Sequence, residues 1–252
     1  MTTILIFFVA HWYISLFCQT FYLHRYGAHH LFIMSKFWEK FFHTLTYISQ
    51  GSSFLSPRAY AVLHRMHHAY SDSERDPHSP HHATNLFTMM WQTKNIYNDY
   101  LKYRRTPEDR FAKDLPEYPL IDKIGDTWIS RVFWGTVYSL FYIEFVPAGM
   151  WYLYFLLPIH FLMGPVHGAI VNWCGHMYGY SNFDNNDKSK NSLVFDVLMG
   201  GELFQNNHHK FPTSAKFASK WYELDPTFPV IWLMTKVGII KMNPKPLEIE
   251  MF

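Results

Sequence analysis

Charged residues are absent from long stretches of this chain and crowded into others. No Asp, Glu, Lys or Arg occurs between Met1 and His24. Thr3 to Tyr22 amounts to about 20 residues, or roughly 30 Å of helix, which matches the hydrocarbon thickness of a bilayer. A second apolar run extends from Val132 to Phe183, interrupted only by Glu144. Pro147-Ala148-Gly149 breaks it, as a turn between two apolar helices does. The pattern predicts membrane spans over about 3–23, 132–146 and 150–174, the last two forming a hairpin. The competing reading is a buried helical pair of a soluble protein, but runs of this length are uncommon in soluble cores. Over 37–57, Trp38, Phe41, Phe42, Leu45 and Ile48 recur every three to four residues. That spacing predicts an amphipathic helix, about 37–56, lying in the membrane interface.

The remaining segments hold the charge. All 22 Lys and Arg fall in 25–131 or 188–245, and 19 of the 20 acids fall in 25–131 or 184–250. Three spans then place nearly all charge on one side, which the positive-inside tendency makes cytoplasmic. The expected fold is all-α: an integral-membrane helical bundle with a cytoplasmic helical cap over 58–128 and 176–252. The first span lacks a basic n-region and a small-residue cleavage site, so it reads as a retained anchor. In the tail, Asp225 is an expected N-cap, with Pro226 at the first position of a short apolar helix.

Composition adds three exclusions. Charged residues are 17% of the chain, against about a quarter in soluble domains. A net charge of +2 argues against nucleic acid as a partner. Two cysteines, Cys18 and Cys174, rule out a disulfide scaffold and read as free thiols. The mean hydropathy of −0.12 averages apolar spans with charged segments and scores Tyr, Trp and His as polar.

The 16 histidines are clustered. His64-Arg-Met-His67-His68 places imidazoles at i, i+3 and i+4, which share one helical face. Gln205, His208 and His209 repeat that spacing. Asn172 and His176, at i and i+4, end the last predicted span. His24 and His29 follow the first. Five residues apart, they lie about 140° apart on an α-helix, so this pair requires the helix to bend or end there. A single histidine is most often a hydrogen-bonded core residue, and His11, His43, His160 and His167 are read that way. His81 and His82 are assigned to a surface loop. The clusters instead suit a metal, since imidazole binds Zn, Cu, Fe and Ni. Eight donors exceed one ion's needs, and two iron ions fit them well; chemistry alone leaves zinc open.

A shared centre also fixes topology. Thirty-three residues, Leu31 to Leu63, separate the first two clusters, too few for two crossings. One crossing would divide the clusters, so 37–57 does not cross. The 44 residues between Arg131 and His176 accommodate two crossings.

With HRYGAHH, HRMHHAYSDSERDPHSP, NWCGHMYGY and GELFQNNHHKFP in this order, the chain resembles the membrane fatty-acid desaturases, over roughly residues 5 to 240. It is most similar to the delta-9 acyl-CoA or acyl-lipid type in a short bacterial form. The resemblance implies a di-iron centre (two Fe2+ ions) at the cytoplasmic face of a four-span bundle in the inner membrane. It implies dioxygen and two external electrons used to remove two hydrogens from a fatty acyl chain, linked to CoA or lipid. By that resemblance the ligands are His24, His29, His64, His67, His68, His176, His208 and His209, and Asn172 holds a metal-bound water. Two features depart from the pattern: Gln205 stands where the family usually has a histidine, and three clear spans replace four. Gln205 is read as a ligand through its carbonyl oxygen or a water.

Asp76, in Asp-Pro-His, and Glu202 are candidate carboxylates orienting ligand imidazoles; for Asp76 a plain turn is an equal alternative. Lys36, Lys40, Arg58, Arg65, Arg104 and Arg105 are candidates for a phosphate head group or for positive-inside anchoring. Electrons are expected from a separate donor such as ferredoxin, rubredoxin or a cytochrome b5-like protein with its reductase. The alternatives carried forward are a related di-iron membrane hydroxylase or ketolase, and a non-catalytic membrane scaffold whose histidines bind zinc or nothing.

Overall fold

The uncharged N-terminal run forms one long helix in the computed structural model, which describes residues 1–247. Its first part, α1, spans Thr2–Phe17, and it continues unbroken as a π-helical segment, Cys18–Ala28. At 27 residues it is, among the described residues, the one unbroken helix long and apolar enough to cross a membrane. The two parts differ in their surroundings. Leu5, Ile6, Val9, Tyr13 and Ile14 face outward from α1, whereas every residue of 18–28 is buried.

A two-stranded antiparallel ribbon follows, the one departure from an all-helical fold among the named elements. β1 (Phe32–Met34) pairs with β2 (Ile240–Met242), Ile33 opposite Lys241, and ties the tail to the end of the first helix. α2 (Lys36–Gln50) occupies the predicted interfacial segment. Phe42, His43, Thr46 and Ser49 face inward from it, while Phe37, Phe41 and Ile48 are exposed. It stops six residues before the expected end. Gly51, at φ +50°, turns the chain, and a Cβ there would overlap the Tyr138 hydroxyl.

α3 (Pro57–Tyr70) starts with Pro at its first turn, where no backbone donor is needed. α4 (Leu86–Leu101) is capped by Asn85, which accepts from Thr88 N at 2.9 Å. α5 (Pro119–Gly125) and α6 (Trp128–Phe145) complete the first half. α6 covers the predicted span 132–146, but with Arg131, Glu144, two Trp and two Tyr it falls short of the apolarity of α1. Its outward face is nevertheless apolar: Ile129, Val132, Phe133, Leu140 and Ile143 are exposed.

The segment 150–174, expected as one span, is a bent pair of helices. Residues Trp151–Leu156 form a 3-10 turn leading into α7 (Leu157–Phe161), and α8 (Met163–Met177) leaves at 76° to that pair. Pro165 supplies a physical reason: it has no N–H to return to the Phe161 carbonyl. Ser52 Oγ donates to that carbonyl at 3.0 Å instead, and Ser53 Oγ accepts from Gly164 N at 3.0 Å. The bend is thus held by the turn that follows α2.

α9 (Gln205–Lys210) and α10 (Thr227–Lys236) lie in the C-terminal part. α10 starts one residue later than expected, with Pro226 as its N-cap, but Asp225 Oδ1 still accepts from Thr227 N and Phe228 N at 3.1 and 3.2 Å. Residues 248–252 of the expected cap lie outside the described residues.

Candidate metal centre

Eight histidines converge in two buried groups. His24, His29, His64, His68 and His208 form the first; His67, His176 and His209 form the second. Within each, one ligand-capable atom per residue lies within 4.8 Å of the others. These are the eight histidines singled out from the sequence.

Local winding explains how each cluster meets. On α3, His64 and His68 sit one turn apart with Nε2 atoms 3.0 Å apart, while His67 turns to the second group. On α9, His208 and His209 likewise divide between the groups. His24 and His29 are reconciled by the π-helical segment. His29 N donates to His24 O at 3.1 Å, an i→i+5 bond that stacks residues five apart. The helix widens and ends at Ala28, with His29 as its C-cap, so an end between the pair, one of the two expected ways, is what is seen.

The ring nitrogens facing each group are spaced as ligands. His29–His64, His24–His208 and His68–His208 Nε2 pairs lie 2.8, 3.0 and 3.0 Å apart, and His67–His209 lies at 3.2 Å. Two nitrogens held at right angles about 2.1 Å from one ion are about 3.0 Å apart.

Carboxylates set the tautomers. Glu202 takes His24 Nδ1 at 2.5 Å, Asp76 takes His67 Nδ1 at 2.9 Å, Asp72 takes His176 Nδ1 at 2.9 Å and Asp187 takes His209 Nδ1 at 2.6 Å. Each carboxylate accepts the Nδ1 hydrogen, so the neutral ring turns a lone pair from Nε2 into the centre. The His67 and His209 lone pairs then oppose each other at 3.2 Å, and buried His176 Nε2 has no protein partner. A cation between them resolves both. The residues present therefore fit a metal.

Electrostatics agree. Burial, reinforced by neighbouring imidazoles, holds His29, His64, His68 and His208 well below the ordinary histidine range, so they are neutral donors. Burial opposes ionisation of Asp72, Asp76 and Asp187, but their histidine partners outweigh it and hold all three below the usual carboxylate range.

Asp76 also closes its turn, accepting from Asp72 N at 2.8 Å and His78 N at 3.0 Å. Asp72 and Asp187 were not singled out from the sequence. Asp72 precedes Asp76 by one helical turn's spacing in the same acidic run, a usable signal; Asp187 has none, since only the fold brings it to His209. His78, ring 4.3 Å from His67 and with a buried Nε2 lacking a partner, was also not separated from its motif. The base under the site is Arg25, whose guanidinium reaches Glu202, Asp225 and the Ala215 carbonyl over the Phe217 ring.

Among the candidate anion ligands, Arg65 is corrected. It is fully buried and donates to the carbonyls of Gly27, Ala28, Phe111 and Lys113, bracing α3 against the first helix. The isolated histidines are mostly as read. His11 joins His160 and the Ser49 carbonyl, and His43 joins Tyr22 and Asp122, but His167 has no hydrogen-bond partner among the described residues. His81 is half-buried, in a 3-10 turn, its Nε2 3.1 Å from the His176 carbonyl, so it is not simply surface loop.

A cavity of about 1010 Å³ opens beside the first group, bordered by His24, His64, Asn172, Glu202 and Gln205 and by Trp91, Trp128, Val132 and Val171. Gln205 Nε2 donates to the Glu202 carbonyl at 2.7 Å, which leaves its amide oxygen as the acceptor.

Residues 1–237 match the family model described as fatty acid desaturase. Among curated proteins, the chain is 30% identical over 238 residues to a delta-9 desaturase-like 2 protein of Arabidopsis thaliana, covering 92% of this chain and 74% of the relative. It is 27% identical over 249 residues to a hex-5-enoyl-[acyl-carrier protein] acetylenase of Moorena producens, covering 91% and 73%. An acyl-CoA 5-desaturase of Anemone leveillei is 26% identical over 238 residues, covering 94% and 70%.

Proposed function

Because the chain belongs to the fatty acid desaturase family, and so is an oxidoreductase of fatty acyl chains with a histidine-rich metal site, we propose that it is a di-iron, dioxygen-dependent desaturase. The reading assigns it a cis double bond, at the delta-9 position, in an acyl chain carried by CoA or membrane lipid. The one observation that carries it is the pairing of inward-facing imidazoles with carboxylates at their outer nitrogens. Neutral nitrogen donors in two groups suit two iron ions.

Bound iron supplies the oxidant for an alkyl C–H bond, which no side-chain acid or base can break. The overall balance is an acyl CH2–CH2 unit, one dioxygen, two electrons and two protons giving one double bond and two waters. The protein's own residues do the rest. Glu202, Asp76, Asp72 and Asp187 orient His24, His67, His176 and His209; Asn172 and Gln205 border the cavity and present amide groups toward a water or an ion. The largely aromatic and aliphatic remainder of the cavity wall excludes water and holds an apolar chain. Lys94, Lys102 and Arg131 also border it and suit an anionic head group. A separate carrier such as ferredoxin, rubredoxin or a cytochrome b5-like protein supplies the electrons.

We further assign 3–23, 132–146 and the bent 150–174 to the membrane of a cell's inner envelope, with the histidine centre on the cytoplasmic side. The outward apolar faces of α1 and α6 and the placement of every charge but Glu144 in the other segments support this. The relatives' names include delta-9 and delta-5 desaturases and an acetylenase on acyl carrier protein, so regiochemistry and carrier need direct measurement. The test is expression in a host poor in unsaturated lipids, followed by mapping of double bonds in its acyl chains. A delta-9 cis bond that disappears in His67→Ala is the expected result. No new double bond, with iron bound at two per chain, would refute it.

A further inference from the structure

A basic surface adjoins the second histidine group where Lys188 follows Asp187 and Lys210 follows His209. Residues 181–190 and 210–222 form it. Lys188, Lys210, Lys216 and Lys220 are exposed and Lys190 is half-buried. The acids within these segments are Asp184, which is exposed, and Asp187, whose carboxylate is committed to His209. The segments adjoin: the Phe183 and Phe211 rings meet at 5.1 Å, and the Lys220 ammonium lies 5.7 Å from the Phe183 ring.

The platform is rigid. The Glu223 carboxylate accepts from Asn182 Nδ2 at 2.6 Å, Asn207 Nδ2 at 2.8 Å, Ser219 N at 2.6 Å and Lys220 N at 2.9 Å. It thereby ties both segments to α9. The surface is also wired inward. Lys188 follows Asp187 in the chain, and its own N–H donates to Asp72 Oδ2 at 2.8 Å. That same oxygen takes His176 Nδ1 at 2.9 Å. One exposed lysine thus adjoins the carboxylates behind two of the three imidazoles in the second group.

We propose that this surface docks an acidic one-electron carrier protein, and that electrons pass inward through Asp187–His209 and through the Lys188 backbone, Asp72 and His176. The proposal rests on the desaturase reading above. Each docked carrier is oxidised by one electron while the histidine-bound site gains one, and no atom moves. Two dockings supply the two electrons of one acyl turnover. Charge complementarity of this kind steers encounter and is weakened by salt.

The test uses the full-length, iron-loaded protein in nanodiscs. The probes are a plant-type ferredoxin and, separately, the soluble haem domain of cytochrome b5, both acidic. Binding is measured across ionic strength. The expected result is salt-sensitive binding of at least one probe, weakened at least tenfold at low salt by K210E/K216E/K220E. The double reversal K236E/K241E, on α10 and β2, leaves binding at the wild-type value. Carbodiimide cross-links to the bound probe map to Lys188, Lys210 or Lys220. The triple variant keeps wild-type iron content and wild-type product yield in a single turnover driven by dithionite. Wild-type affinity in the triple variant, cross-links confined to Lys236 and Lys241, or no salt-sensitive binding of either probe overturns the docking proposal. Carrier binding as expected, but no product from dithionite-reduced wild type, overturns the desaturase reading instead.

Discussion

The Asp187 carboxylate lies 2.6 Å from His209 Nδ1, although the two residues are 22 positions apart in the chain. This contact fixes the His209 tautomer from outside the cluster, as Asp76 does for His67. Removing such a partner typically costs roughly 10–100-fold in metal affinity or activity. Asp187→Ala and Asp76→Ala are each expected to lower iron retention against a competing chelator by that factor. Helical circular dichroism should remain that of wild type. Undiminished retention in both would show that the carboxylates do not orient ligands.

Gly175 lies against Gln205. A Cβ at Gly175 would sit 2.4 Å from Gln205 Cγ and 3.2 Å from its Cβ, the base of that side chain rather than its mobile end. Gly175→Ala should therefore displace Gln205 and destabilise the protein by about 1–3 kcal/mol, the usual scale of overpacking. Truncation by Gln205→Ala in the same chain should recover most of the loss. Thermal melts of the two single variants and the double variant decide it; strictly additive losses would exclude the clash.

Two buried histidines of the bundle should respond in opposite ways. His11 Nε2 donates to the Ser49 carbonyl at 2.7 Å, so the neutral His11 Nδ1 accepts from His160 Nδ1 at 2.6 Å. His160 Nε2 in turn accepts from the Tyr142 hydroxyl at 2.9 Å. Tyr142→Phe leaves that nitrogen unpaired and should cost about 1–3 kcal/mol. His167 has neither ring nitrogen paired and meets the Trp12 ring edge-on at 4.5 Å. His167→Leu should leave the melting temperature unchanged or raise it. A larger loss for His167→Leu than for Tyr142→Phe would contradict this account.

Asp196 makes stability depend on pH. Burial pushes its carboxyl up to about 6, against the opposing pull of N–H groups from Leu203 and Met199. Its folded value lies above the ordinary value of 3.8, so the native state holds the proton more tightly. The contribution is fully present below about 4 and is lost as pH rises through about 6. Comparing melts of wild type and Asp196→Asn between pH 4 and pH 7 isolates it. The stability difference between the two should change over that window, and a constant difference would dismiss the effect.

Much of the site is legible in the sequence because helical spacing is local. His64, His67 and His68 share a face by arithmetic alone, and so do His208 and His209 with Gln205. Glu202 and Asp76 were accessible because each lies close in sequence to a histidine cluster. Asp72 is as close, in the same acidic run as Asp76; Asp187 is not, since only the fold delivers it to His209. The bend at 162 was partly legible: Pro158 and Pro165 bracket it, but the apolar run masked them. Apolarity reports environment and not straightness. The two strands escaped notice because each is three residues long and neither pairs with a neighbour in sequence.

The π-helical segment 18–28 sets the angular phase between two machines on one rod. The candidate ligand His24 lies within it and His29 caps its C-terminal end; on its N-terminal side, α1 turns His11, Ser15 and Leu16 toward its neighbours. Deleting one residue there would let the segment relax to α winding, with the two ligands four apart and still on a common face. The rest of the rod would turn relative to them. His11 would leave Ser49 and His160, and Leu16 would leave Met199 and Val171, with which it packs. The extra residue is therefore a clocking element, keeping the packing of the rod in register with the metal-binding end.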